Sequence, residues 1–291
     1  MKRPLRVAAI HDLSTFGRCA LSVVIPILST MGIQVCPIPT MLLSTHTGGF
    51  DNIRKMDCSD FSSRCAEHYF EMGVELEGIY SGYLGDVRQI HGVLDFYKYY
   101  PNVLKIADPV LGDNGCFYNG ITPDLVDGMK QIIAKADIIT PNITEAVLLT
   151  DSEYKEEYTG DEVITICRKL KTLTKADIII TGVPLAEYGR GNVCCTNNDN
   201  FLVFLPSNYR DICFDGTGDC FASTFTGALL KGNNLQDAVK IAADFVGYCI
   251  DLSADSDEPR RNGVFLETAL PWLNEKHTIS SETAIKLESR V

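Results

Sequence analysis

The sequence predicts an α/β fold: a mostly parallel sheet with helices on both faces. Two observations carry this. Short, β-rich apolar runs alternate with helix-patterned segments along most of the 291 residues, joined by short connections. The runs also end in polar residues, as expected where a parallel sheet presents the carboxyl ends of its strands to a ligand.

The first strand is expected over Leu5–Ile10, followed by a turn at Gly17 and an apolar helical stretch reaching Met31. Further strands are expected over Ile33–Ile38, Glu77–Ser81, Val103–Ala107, Ile138–Thr140 and Ile178–Thr181. Helical patterns fill the intervals near Phe61–Met72, Val87–Tyr99, Pro123–Ala134 and Asp161–Leu173. After Thr181 the pattern changes. Asn192–Thr196 and Phe201–Leu205, joined by Asn197-Asn198-Asp199-Asn200, read as a β-hairpin. Helices follow over Thr217–Lys231 and Leu235–Leu252, then a charged loop over Ser253–Arg261. With no linker, repeat or low-complexity segment, residues 1–291 read as one domain, its polar tail beyond about residue 275 loosely held.

A net charge of −12 argues against nucleic acid and anionic membrane surfaces as partners, since neither finds a basic stripe to dock on. No apolar run is long enough to span a bilayer, and Met1-Lys2-Arg3-Pro4 lacks the apolar core of a signal peptide. The eleven cysteines are odd in number and irregular in spacing, and Cys167, Cys220 and Cys249 sit in apolar contexts. Neither Cys194-Cys195 nor the histidines show metal-ligand spacing, so a reduced, cytoplasmic protein without structural metal is expected.

The segment richest in chemistry is Phe214-Asp215-Gly216-Thr217-Gly218-Asp219, which opens directly into an apolar helical run. It combines free backbone N–H groups, a positive helix end and a carboxylate in one turn. Such a corner can hold a phosphoryl group in flight and deprotonate its attacker. It also reads as a plain turn with a helix cap. Six polar strand ends then describe a lined cleft: His11-Asp12, Thr40, Ser81-Gly82-Tyr83, Asp108-Pro109, Thr140-Pro141-Asn142 and Thr181-Gly182.

Asp108 and Asp113, flanking a Gly turn, are candidates to hold a divalent ion on nucleotide phosphates, directly or through water. Asn142 and Glu145 have capping-box spacing, and Glu145 can equally support the metal ion. Asp12, Ser44-Thr45-His46-Thr47 and Tyr83 suit a small aromatic acceptor with hydroxyl and ring-nitrogen groups, with His46 read either as ligand contact or as loop histidine.

The Asp215-Gly216-Thr217-Gly218-Asp219 turn resembles the signature of the ribokinase-like kinases. Pro39–Thr47, Ser81-Gly82-Tyr83-Leu84-Gly85, Asp108–Asp113 and Ile139–Glu145, in that order, narrow the resemblance to the pyridoxal kinases over roughly residues 5–275. The resemblance implies transfer of a phosphoryl group from ATP to the 5′-hydroxymethyl group of a B6 vitamer. It makes Asp219 the base and Gly216, Thr217 and Gly218 the anion hole. It sets Asp108, Thr140, Glu145 and Thr181 around the metal and a monovalent cation, and Asn142, with Thr181 and Asp113, toward the nucleotide. Asp12, Cys19, His46, Thr47 and Tyr83 fall toward the pyridine ring. It further implies magnesium, potassium and a homodimer.

Two positions depart from the family's usual pattern. Asp12 stands where a serine is usual, and Cys19-Ala20 where relatives carry a small apolar residue and a glycine. An acid at 12 would favour a protonated ring nitrogen or an aminomethyl group. The competing readings are a hydroxymethylpyrimidine kinase of thiamine synthesis, a sugar or nucleoside kinase, and a non-catalytic nucleotide- or B6-binding module. The sugar-kinase reading is disfavoured because no spare early strands are evident for a lid. Residues 112–120, rich in glycine and asparagine, are the candidate flap.

Overall fold

The computed structural model describes residues 3–196, 201–207, 210, 212–275 and 284–288. In chain order the elements are β1 (Arg6–Ser14), α1 (Leu21–Thr30), β2 (Gln34–Leu43), β3 (Lys55–Asp57), α2 (Phe61–Glu71), β4 (Gly78–Ser81) and α3 (Val87–Tyr99). Next come β5 (Leu104–Ala107), β6 (Gly112–Asp113), β7 (Cys116–Phe117), α4 (Pro123–Ile133), β8 (Ile138–Ile139), α5 (Ile143–Leu149) and α6 (Gly160–Leu173). The last are β9 (Asp177–Leu185), β10 (Gly189–Cys195), β11 (Leu202–Pro206), α7 (Thr217–Leu230), α8 (Leu235–Ser253), α9 (Leu266–Ala269) and β12 (Ile285–Leu287). The fold is α/β with a mostly parallel sheet and helices on both faces. Its residues group into two compact units, 1–104 with 209–279, and 105–208 with 280–291.

In the first unit the strands run β4-β1-β2-β3. The first three are parallel, and β3 pairs antiparallel with the end of β2. Val7, Ala8, Ala9 and Ile10 of β1 are wholly buried, which explains an unbroken apolar run where a half-exposed strand would alternate. α1 packs on β1, β2 and α7, α7 on α8, and α2 on α3. Leu21, Ile27, Phe225 and Phe245 fill this core.

In the second unit β5, β8 and β9 are parallel, and β10, β11 and β12 continue antiparallel. α5 and α6 each begin with a capping box, Asn142 with Glu145 and Thr159 with Glu162. Each box satisfies two N–H groups of its own helix, so both starts are fixed locally.

Several expectations need correction. β1 and β2 run past their expected ends, so Asp12 and Thr40 lie inside strands. The β1–β2 register shifts between His11 and Leu13, letting Asp12 leave the regular ladder. β9 likewise continues to Leu185, placing Thr181 within the strand. Early in the chain there is a further strand after all, β3, whose three exposed residues offer no apolar period to read. Residues 112–117 of the expected flap form the small β6–β7 ladder. Ile285–Leu287 of the expected loose tail pairs with β11. The expected hairpin is present as β10 and β11, and its connection at 197–200 lies outside the described residues.

Candidate active site

In the first unit, Gly216 caps α7 with φ 79°, a left-handed conformation natural to glycine. A Cβ there would stand 2.0 Å from the Arg18 carbonyl oxygen and 3.2 Å from Cys19 Sγ. Glycine is therefore required twice, by dihedral and by space. Thr217 Oγ1 donates to the Phe214 carbonyl at 3.1 Å, closing the turn. At Gly218 a Cβ would meet nothing within 4 Å, so the corner is open on that side.

Asp219 sits in the first turn of α7 with Oδ2 accepting the Ala20 N–H at 2.8 Å. Burial pushes its carboxyl up to about 6, against the opposing pull of the Ala20 hydrogen bond and of His46. Asp12 is 4% exposed and accepts from Ser14 Oγ at 3.2 Å. Burial first, and then the neighbouring Asp219, push it up to about 7. Burial and the carboxylates of Asp219, Asp215 and Asp12 hold the Cys19 thiol well above its usual range. Tyr83, half-buried, is raised by burial and by Asp12. Asp12 and Cys19 thus lie in the electrostatic reach of Asp219, and Tyr83 in that of Asp12.

His46 behaves differently from the other pocket candidates. Its Nδ1 accepts the Gly48 N–H at 3.1 Å and its Nε2 lies in hydrogen-bond contact with the Arg261 carbonyl, so both ring nitrogens are engaged. Its ring also fills the space a Cβ at Gly17 would need, 2.5 Å from Cδ2. His46 fixes the loop that carries Thr47 and Gly48. A Cβ on Gly48 would come within 3.2 Å of the Asp215 carboxylate, so this loop lies directly against the glycine-rich turn.

In the second unit, Asp108 follows β5 and is buried. Glu145 is buried too, its Oε1 accepting from Leu111 N–H at 3.1 Å and Oε2 from Asn142 N–H at 2.8 Å. Burial raises its carboxyl despite these bonds, and Asp113 adds to the rise. Asn142 Nδ2 donates to the Gly112 carbonyl at 2.9 Å, and Thr181 N–H to the Pro141 carbonyl at 2.9 Å. Asp113 is exposed and accepts the Asn114 N–H at 2.8 Å. Thr140 Oγ1 is buried without a hydrogen-bond partner. That orphaned oxygen, beside a sequence rich in hard oxygen donors, fits a cation. Among the described residues no three His, Cys, Asp or Glu side chains cluster as a cage. Magnesium keeps several waters and binds largely through phosphate oxygens, so this donor set fits it.

Ser14 and Gly48, in contact with the candidate residues Asp12 and His46, are residues that reading the sequence did not single out, and Ala20 stood out only as a departure from the family pattern. Only Ala20 had a signal, its place where relatives carry glycine. Its φ of 52° is a conformation glycine adopts freely and alanine rarely.

Fold and turn together define a ribokinase-like phosphotransferase. The phosphomethylpyrimidine kinase family model matches residues 25–260. The pyridoxal kinase PdxY of Rubrobacter xylanophilus is 25% identical over 253 residues, covering 83% of this chain and 85% of its own length. A solved structure of a candidate phosphomethylpyrimidine kinase from Bacteroides thetaiotaomicron superposes with TM-score 0.91 at 37% identity, covering 98% of this chain and 99% of that one. A second crystal form of that protein, with pyridoxal, gives 0.90 at 37% identity over 97% and 100%. Pyridoxal kinase from Lactobacillus plantarum gives 0.82 at 28% identity over 92% and 96%. The chain belongs to this family of pyridoxal and phosphomethylpyrimidine kinases within the ribokinase-like superfamily, and it is a kinase. Among the described residues no helix is long and apolar enough to cross a membrane.

Proposed function

We propose that the protein transfers the γ-phosphoryl group of ATP to the 5′-hydroxymethyl group of pyridoxal, pyridoxine or pyridoxamine. The observation that carries this reading is the half-buried carboxylate of Asp219, one oxygen held by Ala20 N–H, directly after the open Gly216-Thr217-Gly218 turn. Phosphoryl transfer needs mainly positioning and electrostatic stabilisation, and the alcohol must lose its proton. With Oδ2 engaged, Oδ1 of Asp219 is the oxygen left to take that proton. The N–H groups of the turn and the positive end of α7 stabilise the charge of the transferring group.

Asp12, Cys19, Thr47 and Tyr83 line the ring of the acceptor, while His46 shapes the pocket through the loop it pins. Asn142, Thr181 and Asp113 serve the nucleotide. Asp108, Thr140 and Glu145 would hold magnesium, largely through water, with potassium beside it. When bound, magnesium neutralises charge on the phosphates. A homodimer in the cytoplasm is the expected working form.

The pyridoxal bound to the 37%-identical Bacteroides protein supports a B6 vitamer. The family description keeps hydroxymethylpyrimidine as the second reading. Asp12 is the residue expected to bias the choice, because a buried carboxylate opposite the ring favours a protonated ring nitrogen or an aminomethyl group. ADP release with ATP and each acceptor in turn tests the proposal. Turnover is expected with at least one vitamer, and turnover with hydroxymethylpyrimidine alone would overturn it. In Asp12→Ser the pyridoxamine-to-pyridoxal ratio of kcat/KM is expected to fall, and an unchanged ratio would remove Asp12 from vitamer selection. No release with any acceptor would favour a binding module.

A further inference from the structure

We infer that the backbone of Ala20 is a positioning group for Asp219: its N–H, presented by a left-handed kink, holds Oδ2 of the base and leaves Oδ1 for the acceptor. The inference rests on the proposed role of Asp219 as base, but not on which ring is phosphorylated.

Four observations carry it. The bond from Ala20 N–H to Asp219 Oδ2 is 2.8 Å and joins residues 199 apart in sequence. Ala20 has φ 52° and ψ −133°, where an alanine is strained. The kink is held from several directions. Ser22 Oγ donates to the Cys19 carbonyl at 2.7 Å, Arg18 N–H donates to the Asn262 carbonyl at 3.1 Å, and Ala20 bridges Leu13. Gly263 also has φ 82°, and a Cβ there would stand 2.7 Å from Arg18 Cβ. The loop is thus wedged between two glycine-dependent turns, one of them the turn that precedes Asp219. Local sequence gives no reason to strain an alanine here, whereas the fixed N–H supplies one.

The titratable groups facing Asp219 are Asp12 of β1, Cys19 beside Ala20 and His46 after β2, with Asp215 of the turn facing Cys19 in addition. The hydrogen bond that the Asp219 carboxylate accepts comes from the Ala20 N–H. A hydrogen bond to the charged form keeps the base ionised where burial opposes it.

The Ala20 amide can be followed directly by 1H–15N NMR across pH in the substrate-free protein. Its shift is expected to titrate together with the Asp219 carboxyl carbon, also in an Asp12→Asn background that removes the neighbouring titration. In Asp219→Asn the Ala20 amide should no longer titrate. Replacing the Ala20 amide by an ester, with lactic acid at position 20, is expected to raise the Asp219 midpoint by about one pH unit, roughly tenfold in proton affinity. Ala20→Gly keeps the N–H, so its midpoint should stay with wild type while its Tm rises. An Ala20 amide that does not follow Asp219, or a Gly variant that shifts the midpoint as far as the ester does, would overturn the inference. The NMR readings need no turnover, so they fail or stand apart from the proposed activity.

Discussion

Two helices of this protein carry an acid in the first turn, buried in α5 and half-buried in α7, and the structure holds the two in different ways. Glu145 of α5 closes a capping box with Asn142, three residues away, and also accepts Leu111 N–H. Both of its oxygens are committed to backbone. Asp219 of α7 follows a glycine that caps nothing with a side chain, and its partner N–H comes from residue 20. Burial raises both carboxyls. A carboxylate with both oxygens on backbone N–H groups braces the scaffold and serves a metal only through water. One held through a single oxygen by a distant loop keeps the other for the proton transfer proposed above.

Substitution should separate the two roles. Asp219→Asn is expected to lower kcat by about 10²–10⁴-fold while leaving the unfolding midpoint and ATP binding near wild type. Steady-state kinetics and calorimetry check this. Gly216→Ala should also abolish most turnover, and by a different route. Its Cβ would collide with the Arg18 carbonyl, so a stability loss of more than about 2 kcal/mol in denaturant unfolding is expected as well. Glu145→Ala leaves one buried and one part-buried backbone N–H group unsatisfied, and a loss of about 1–3 kcal/mol should appear in the same measurement. If Glu145→Ala unfolds like wild type while Asp219→Asn is severely destabilised, the contrast drawn above is reversed.

A further effect, graded with pH, concerns stability. Asp12 is raised in the folded state, to about 7 from 3.8. The folded protein then binds this proton more tightly than the unfolded chain does. The stabilisation that follows is fully present below pH 3.8 and is lost as pH rises through 7. Asp12→Asn should therefore gain stability over wild type at pH 8, by a few kcal/mol at most at about 1.4 kcal/mol per pH unit. The gain should shrink steadily on acidification to pH 4, and urea titrations at several pH values would follow it.

Much of this was legible in the sequence, and the reasons differ by element. α3 is read at Val87–Tyr99, its observed bounds, because its apolar period is strong and its Asp86 cap is local. The capping box of α5 is legible for the same reason. The glycine-rich turn stands out because its residues are special wherever they fold. By contrast, β3 has three exposed residues and no pattern, so only its pairing with β2 reveals it. β1 and β2 outrun their apolar runs because polar Asp12, Ser14 and Thr40 are buried in the strands. The contact of His46 Nε2 with the Arg261 carbonyl, and that of the Ala20 N–H with Asp219, depend on partners some 200 residues away. No local signal encodes such contacts.

The assignment of Asp219 as base is decided by the pH dependence of kcat/KM for ATP-driven phosphorylation of the preferred acceptor, in wild type and Asp219→Asn side by side. Burial sets the Asp219 carboxyl near 6, so the wild-type profile should fall about tenfold per pH unit below that value. The variant should retain only a small remnant with no Asp219-dependent limb. A variant that keeps near-normal turnover and the same acidic limb would contradict the assignment.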